Sequence, residues 1–243
     1  MARSLFPSRT VNHPGEQALA APVPPIGAVL FDFSNTLFRL IPTADWLLRI
    51  AARTGRALDP AEAEAVAGEV AEAMELPGVA EAQVGRDLSP RRHRAAMDAL
   101  FGQVPLLRGV EDAAYAELIA ADAWVPYPDT APVLRELRRR GLPVGIVSDF
   151  GWDLRVHLRR FGLEEEIGSV VLSCEVGREK PDPQLFLKAC AELGAEPRRT
   201  LMVGDNPARD GGAVIAGLRA FVLAGEERTG ERGLADVLRL LGG

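Results

Sequence analysis

The sequence predicts an α/β protein, a Rossmann-like parallel-sheet core with an all-helical module inserted into it. Three observations carry this. The run Ala28-Val29-Leu30-Phe31 is apolar at every position and stops at Asp32, as in a strand buried on both faces of a parallel sheet. From Pro126 onward short apolar runs alternate with helical patterns, the signature of βαβ units. Between about Ile41 and Val125 only helical patterns occur. The first strand cannot satisfy its backbone groups alone, so it must pair with the later strands. The helical stretch is then an insertion after strand one.

Taken in order, residues 1–24 carry prolines, few large apolar side chains and no periodicity, and read as a flexible tail. The core comprises residues 25–40 and 126–243, the helical module residues 41–125. Thr43 is placed to cap a first helix with Trp46, Leu47, Ile50 and Ala51 on one face, ending near Gly55. Asp59-Pro60 with Glu62 spells a capping box and an N1 proline for a second helix. Ser89-Pro90 repeats that start for a helix reaching Phe101, and a fourth follows Gly109 with Tyr115, Leu118, Ile119 and Ala123 on one face. Next, Asp129 is placed to cap a helix ending at Arg140-Gly141, and Pro143 to Val147 forms a strand. Helices are expected over 152–161, 183–194, 207–217 and 233–241, and strands over 169–173, 200–203 and 219–223.

The charge balance bounds the partners. Thirty-four acidic against 28 basic residues give a net charge of −6, which disfavours nucleic acid or an anionic membrane surface. Two cysteines without a C-x-x-C spacing support neither a disulfide framework nor a zinc site, and point to a reducing cytoplasm. No apolar run is long enough for a membrane span. Among the 28 basic residues only Lys180 and Lys188 are lysines, so a lysine here is unusually informative.

The strand ends bring the chemistry together. In a parallel sheet the carboxyl ends share one edge, and ligands of open α/β sheets bind there. Asp32 ends the first strand, Ser148-Asp149 the second, and Gly204-Asp205 the fourth, with Asp210 five residues on; Lys180 lies in the loop GREKPDP. Each has an ordinary reading: Asp32, Asp205 and Asp210 as caps, Ser148 as a turn residue, Lys180 as a surface cation. Gathered together, three carboxylates need a cation between them, and hard oxygen ligands suit Mg²⁺. A carboxylate is also a nucleophile toward phosphorus. The Ser148 hydroxyl can hold phosphate oxygens, and Lys180 can neutralise charge shared with a phosphoryl group.

These stretches resemble the four motifs of the haloacid dehalogenase superfamily, whose members are mostly Mg²⁺-dependent phosphatases. Asp32 matches the nucleophile of motif I, Ser148 motif II, Lys180 in EKPDP motif III, and Gly204-Asp205 with Asp210 motif IV. The inserted helices match the cap domain of the subgroup with an insertion between motifs I and II, with hinges near Phe38–Pro42 and Val125–Pro128. The resemblance implies that Asp32, the Ser34 carbonyl and Asp205 hold Mg²⁺, with Asp210 supporting. It implies a small phosphate ester as substrate, bound by Ser148, Asp149 and Lys180, and an aspartyl-phosphate intermediate. Trp46, His93, Arg39 and Trp152 are candidates for the substrate pocket, and the chain is expected to be a monomer or homodimer.

One departure matters. The family motif is D-x-D-G-T, its second Asp being the general acid and base, whereas this chain reads Asp32-Phe33-Ser34-Asn35-Thr36. Ser34 keeps the backbone carbonyl but cannot exchange a proton near neutral pH, so slow turnover is expected. Phosphonate-cleaving relatives use a cap lysine, and residues 41–125 contain none. Haloacid dehalogenases proper carry Tyr at this position and lack the Gly-Asp pair that this chain keeps. A C-halogen hydrolase and a non-catalytic binding relative stand as the alternatives.

Overall fold

The computed structural model describes residues 24–224 and 230–241; the expected tail falls outside them. Five strands form one parallel sheet in the order β5-β4-β1-β6-β7. These are β1 (Ala28–Phe31), β4 (Val144–Ser148), β5 (Ser169–Leu172), β6 (Thr200–Gly204) and β7 (Arg219–Val222). β1 is central, with Val29 opposite Val144 on one side and Leu201 on the other. Its uniform apolarity follows from that place: Val29 and Phe31 enter the cluster on one face, Leu30 that on the other. Helices α6 (Thr130–Arg139), α7 (Arg155–Arg160), α8 (Ser173–Val176), α9 (Pro183–Glu192) and α10 (Ala235–Leu240) belong to the same half of the molecule.

Between β1 and β4 the chain leaves and returns through a two-stranded antiparallel ribbon, β2 (Phe38–Leu40) with β3 (Trp124–Pro126). The stretch before Val125 was expected to be helical throughout, so β3 is a correction. Trp124 and Val125 are β-formers placed opposite Leu40 and Arg39, and pairing satisfies both crossing segments. Beyond the ribbon stand α1 (Thr43–Thr54), α2 (Pro60–Met74), α3 (Pro77–Gln83), α4 (Pro90–Phe101) and α5 (Glu111–Leu118). They bury their own apolar cluster around Trp46, Leu47, Ile50, Leu100 and Phe101.

Local signals explain most of these boundaries. Asp59 accepts from the Glu62 N–H at 2.8 Å while Glu62 accepts from the Asp59 N–H at 2.9 Å, completing the capping box. Ser89 accepts from the Arg92 N–H at 3.2 Å. Several expectations fail. The helix after Gly109 ends at Leu118, so Ala123 lies beyond it. Thr43 is already helical and Pro42 stands at the cap, so no side chain caps α1. Gly211-Gly212 weakens the expected helix over 207–217, leaving a 3-10 segment at Gly211–Ala216. Asp129 does not cap α6. Its two oxygens instead accept the N–H groups of Arg232, Gly233 and Leu234 at 2.8–3.0 Å, fixing the segment that leads into α10.

Candidate active site

Asp32 leaves β1 with its backbone N–H on the Val203 carbonyl at 2.9 Å, which seats it between β4 and β6. The Ser148 hydroxyl, from the end of β4, donates to Asp32 Oδ1 at 2.9 Å. Lys180 Nζ lies 2.8 Å from the same oxygen and 2.6 Å from Asp210 Oδ1. All four side chains are buried, Lys180 at 5% exposure. Burial and the neighbouring Asp210 push the Asp32 carboxyl up to about 6, against the pull of Lys180. Burial opposes the Lys180 ammonium, but Asp32, Asp210 and Asp149 outweigh it and hold the amine charged.

Asp205 is different. It ends β6 half-buried, its carboxyl raised by burial and then by Asp210. No side chain among the described residues donates to it or pairs with it. Ligand oxygens of Asp32, Asp205 and Asp210 lie within 4.8 Å of one another. Three carboxylates against one ammonium leave a double negative charge when all are ionised, so the donor set fits a hard divalent cation. Asp210 stands behind this set: its second oxygen accepts the Asn206 N–H at 2.9 Å, so both its oxygens serve the protein. Gly204 permits this, because a Cβ there would sit 2.2 Å from the Asp210 carboxylate.

The sequence grouped Asp149 with the substrate-binding residues. In the fold its Oδ1 accepts the Lys180 backbone N–H at 2.9 Å and its Oδ2 pairs with Arg209 at 2.7 Å. It positions the lysine loop. Arg232 went unnoticed: buried, it donates to the Asn35 carbonyl and the Ala224 carbonyl, fastening the turn after β1. Asn35 has φ +54° there, a left-handed conformation that Asn tolerates better than most residues. No signal near Arg232 marks it, since its partners lie far along the chain.

A cavity of about 440 Å³ opens on Asp32, Ser34, Ser148, Lys180 and Asp205, with Arg86 and Asp87 from the helical insertion on its wall. A second, of about 250 Å³, is lined by Trp46, His93 and Trp152 among others, and shares Ser34, Met74, Arg86, Asp87 and Asp149 with the first. Arg39 lines neither. Two close contacts help to fasten the insertion over the sheet. The Ser173 hydroxyl donates to the Asp87 carbonyl at 2.6 Å. Gly151 lets His93 approach so closely that a Cβ would lie 2.5 Å from it.

A scan against protein families matches residues 26–217 to haloacid dehalogenase-like hydrolases. The chain belongs to that family. Relatives named as phosphatases are similar to it. It is 30% identical to the N-acetylmuramic acid 6-phosphate phosphatase of Pseudomonas aeruginosa, over 87% of this chain and 89% of that one. It is 44% identical to the phosphoserine phosphatase of Thermus thermophilus, but over only 39% of each chain. A solved dehalogenase superposes with a TM-score of 0.63 at 22% identity, covering 90% of this chain and 98% of that one, which shows the fold alone. No helix among the described residues is long and apolar enough to cross a membrane.

The two buried histidines give this hydrolase an acid-side weakness. Burial, then Arg86, lowers His93 to about 4, and burial lowers His157 as well. Between the unfolded value near 6.5 and 4 the unfolded chain binds more protons, so stability falls as pH falls through that window. His93 alone accounts for up to about 3 kcal/mol. Thermal unfolding from pH 7 to pH 4.5 should show this loss, and His93→Gln should flatten the slope.

Proposed function

We propose that this chain is a Mg²⁺-dependent phosphatase that hydrolyses a small phosphate monoester through an aspartyl phosphate on Asp32. One observation supports the reading: Lys180 bridges Asp32 and Asp210 while Asp205, beside them, has no side-chain hydrogen bond or ion pair among the described residues. A nucleophile, a cation and a carboxylate open to a divalent ion thus meet at one sheet edge. Dehalogenation has no use for an unpaired Asp205.

In this mechanism Asp32 attacks phosphorus and the ester oxygen leaves. Ser148 fixes the rotation of the Asp32 carboxylate and can pass its hydrogen bond to a phosphoryl oxygen. Lys180 offsets the charge shared by nucleophile and phosphoryl group, and Asp210 and Asp149 hold it in place. Mg²⁺, held by Asp32, Asp205 and the Ser34 carbonyl, would neutralise phosphoryl oxygens. Ser34 cannot give a proton to the leaving group or take one from water, so hydrolysis of the acyl phosphate is the slow step. The helical insertion serves as a cap that excludes water, moving on the β2–β3 ribbon.

Calorimetric titration tests the ion site. Wild type should bind Mg²⁺, and Asp205→Ala should lose at least about tenfold in affinity, the effect of removing a group that orients or ligates a metal. Equal affinity in the two proteins contradicts the assignment. Chloride release from 2-chloropropionate would favour the dehalogenase reading instead.

A further inference from the structure

The two joined cavities have opposite chemistry. The larger is lined by carboxylates, hydroxyls, Lys180 and Arg209. The smaller is walled by Trp46, Leu100, Phe101, Trp124, Phe150 and Trp152. Its polar lining residues are Ser34, Arg86, Asp87 and Asp149, all at the mouth shared with the larger one, plus Thr43 and His93. His93 is neutral near pH 7 and gives one ring nitrogen to the Tyr115 hydroxyl at 3.1 Å, while its ring meets Trp152 edge-on at 4.8 Å. Apart from Thr43, His93 and the Trp46 indole N–H, the polar lining lies at the phosphoryl end, and the chamber beyond it is apolar with aromatic rings on its wall.

Such a chamber suits a flat apolar body. A dry cavity of about 150 Å³ holds benzene, so 250 Å³ holds one ring with a short linker or a fused pair of rings. A polyhydroxylated sugar or an amino acid would lose its water here with only Thr43, His93 and the Trp46 indole N–H to partner its polar groups beyond the mouth. The Trp46 indole N–H is buried and has no acceptor among the described residues, which leaves a donor that a ligand oxygen or ring nitrogen can satisfy.

We propose that the substrate is a phosphate monoester of an arylalkyl or aryl alcohol, its phosphate in the polar cavity on Asp32 and its ring in the aromatic chamber lined by Trp46, Phe101 and Trp152. The proposal rests on the phosphatase reading above. Phosphorus bonds to Asp32 as its bond to the ester oxygen breaks, and that oxygen takes a proton from solvent to leave as the alcohol. Water then attacks phosphorus, breaking its bond to Asp32 and losing a proton to solvent, which gives inorganic phosphate and the free carboxylate. The cap thus selects on the alcohol, and the relatives' polar substrates do not transfer to this chain.

The test compares 2-phenylethyl phosphate with glycerol 3-phosphate on the full chain with Mg²⁺, both esters having alkoxide leaving groups of similar acidity. A third substrate, acetyl phosphate, has no body to fill the chamber. The expected result is a kcat/KM about 100-fold higher for 2-phenylethyl phosphate, as several methylene-sized contacts supply, and a preference about tenfold smaller in Trp152→Ala. Equal or better turnover of glycerol 3-phosphate, with acetyl phosphate hydrolysed, overturns the substrate class and leaves the phosphatase reading standing. Turnover of none of the three overturns both.

Discussion

Ser34→Asp should raise steady-state phosphatase turnover by about 10²–10⁴-fold, the range that a positioned general acid–base contributes. In the wild type, attack by Asp32 on an aryl or acyl phosphate needs little acid help, because the leaving group is already stable. Release of phosphate from Asp32 needs a base to take a proton from water, and a serine hydroxyl is too weak for that. Phosphoenzyme should therefore accumulate, and stopped-flow with an aryl phosphate and Mg²⁺ should show a burst approaching one equivalent before slow turnover. The aspartate variant should shrink the burst as it raises the later rate. A slower variant without a wild-type burst would assign Ser34 to other chemistry.

Lys180→Ala should be the most destabilising single change at the site. The ammonium sits between two buried carboxylates, Asp32 and Asp210, at 2.8 and 2.6 Å. Removing it leaves like charges facing each other without a counter-charge, a loss of about 3–5 kcal/mol. For a chain of this size that corresponds to roughly 10 °C in melting temperature. The sign with pH follows. Without Lys180 the pull that lowers the Asp32 carboxyl is gone and it titrates well above its unfolded value, so the folded variant binds more protons and its deficit shrinks as pH falls toward 5. Thermal unfolding at pH 8 and pH 5 reads this directly; a deficit that grows at pH 5 would contradict it.

Much of the fold was legible because its signals are local. The unbroken apolar run of β1 announces a central strand, and Asp59-Pro60 with Glu62 writes a complete helix start. The strand ends were legible for a topological reason, since a parallel sheet collects Asp32, Ser148 and Asp205 at one edge whatever the loops do. What escaped depends on distant partners. Asp129 looks like a helix cap from its neighbours, yet its acceptors serve N–H groups about a hundred positions later. Arg232 holds the Asn35 turn across a similar span. Asp149 sits beside Ser148 in the sequence and so reads as a substrate ligand, while its oxygens are taken by the Lys180 loop and Arg209. The β2–β3 ribbon was missed because three-residue strands carry too little periodicity to register against a helical background.

Acid-quench trapping tests covalent chemistry on the Asp32 carboxylate most directly. The full chain mixed with acetyl phosphate and Mg²⁺, quenched within the burst and digested, should carry one phosphoryl group on the peptide containing Asp32. The label should be absent without Mg²⁺ and in Asp32→Asn. Phosphate release from acetyl phosphate by Asp32→Asn at the wild-type rate, with no label on that peptide, would contradict the account.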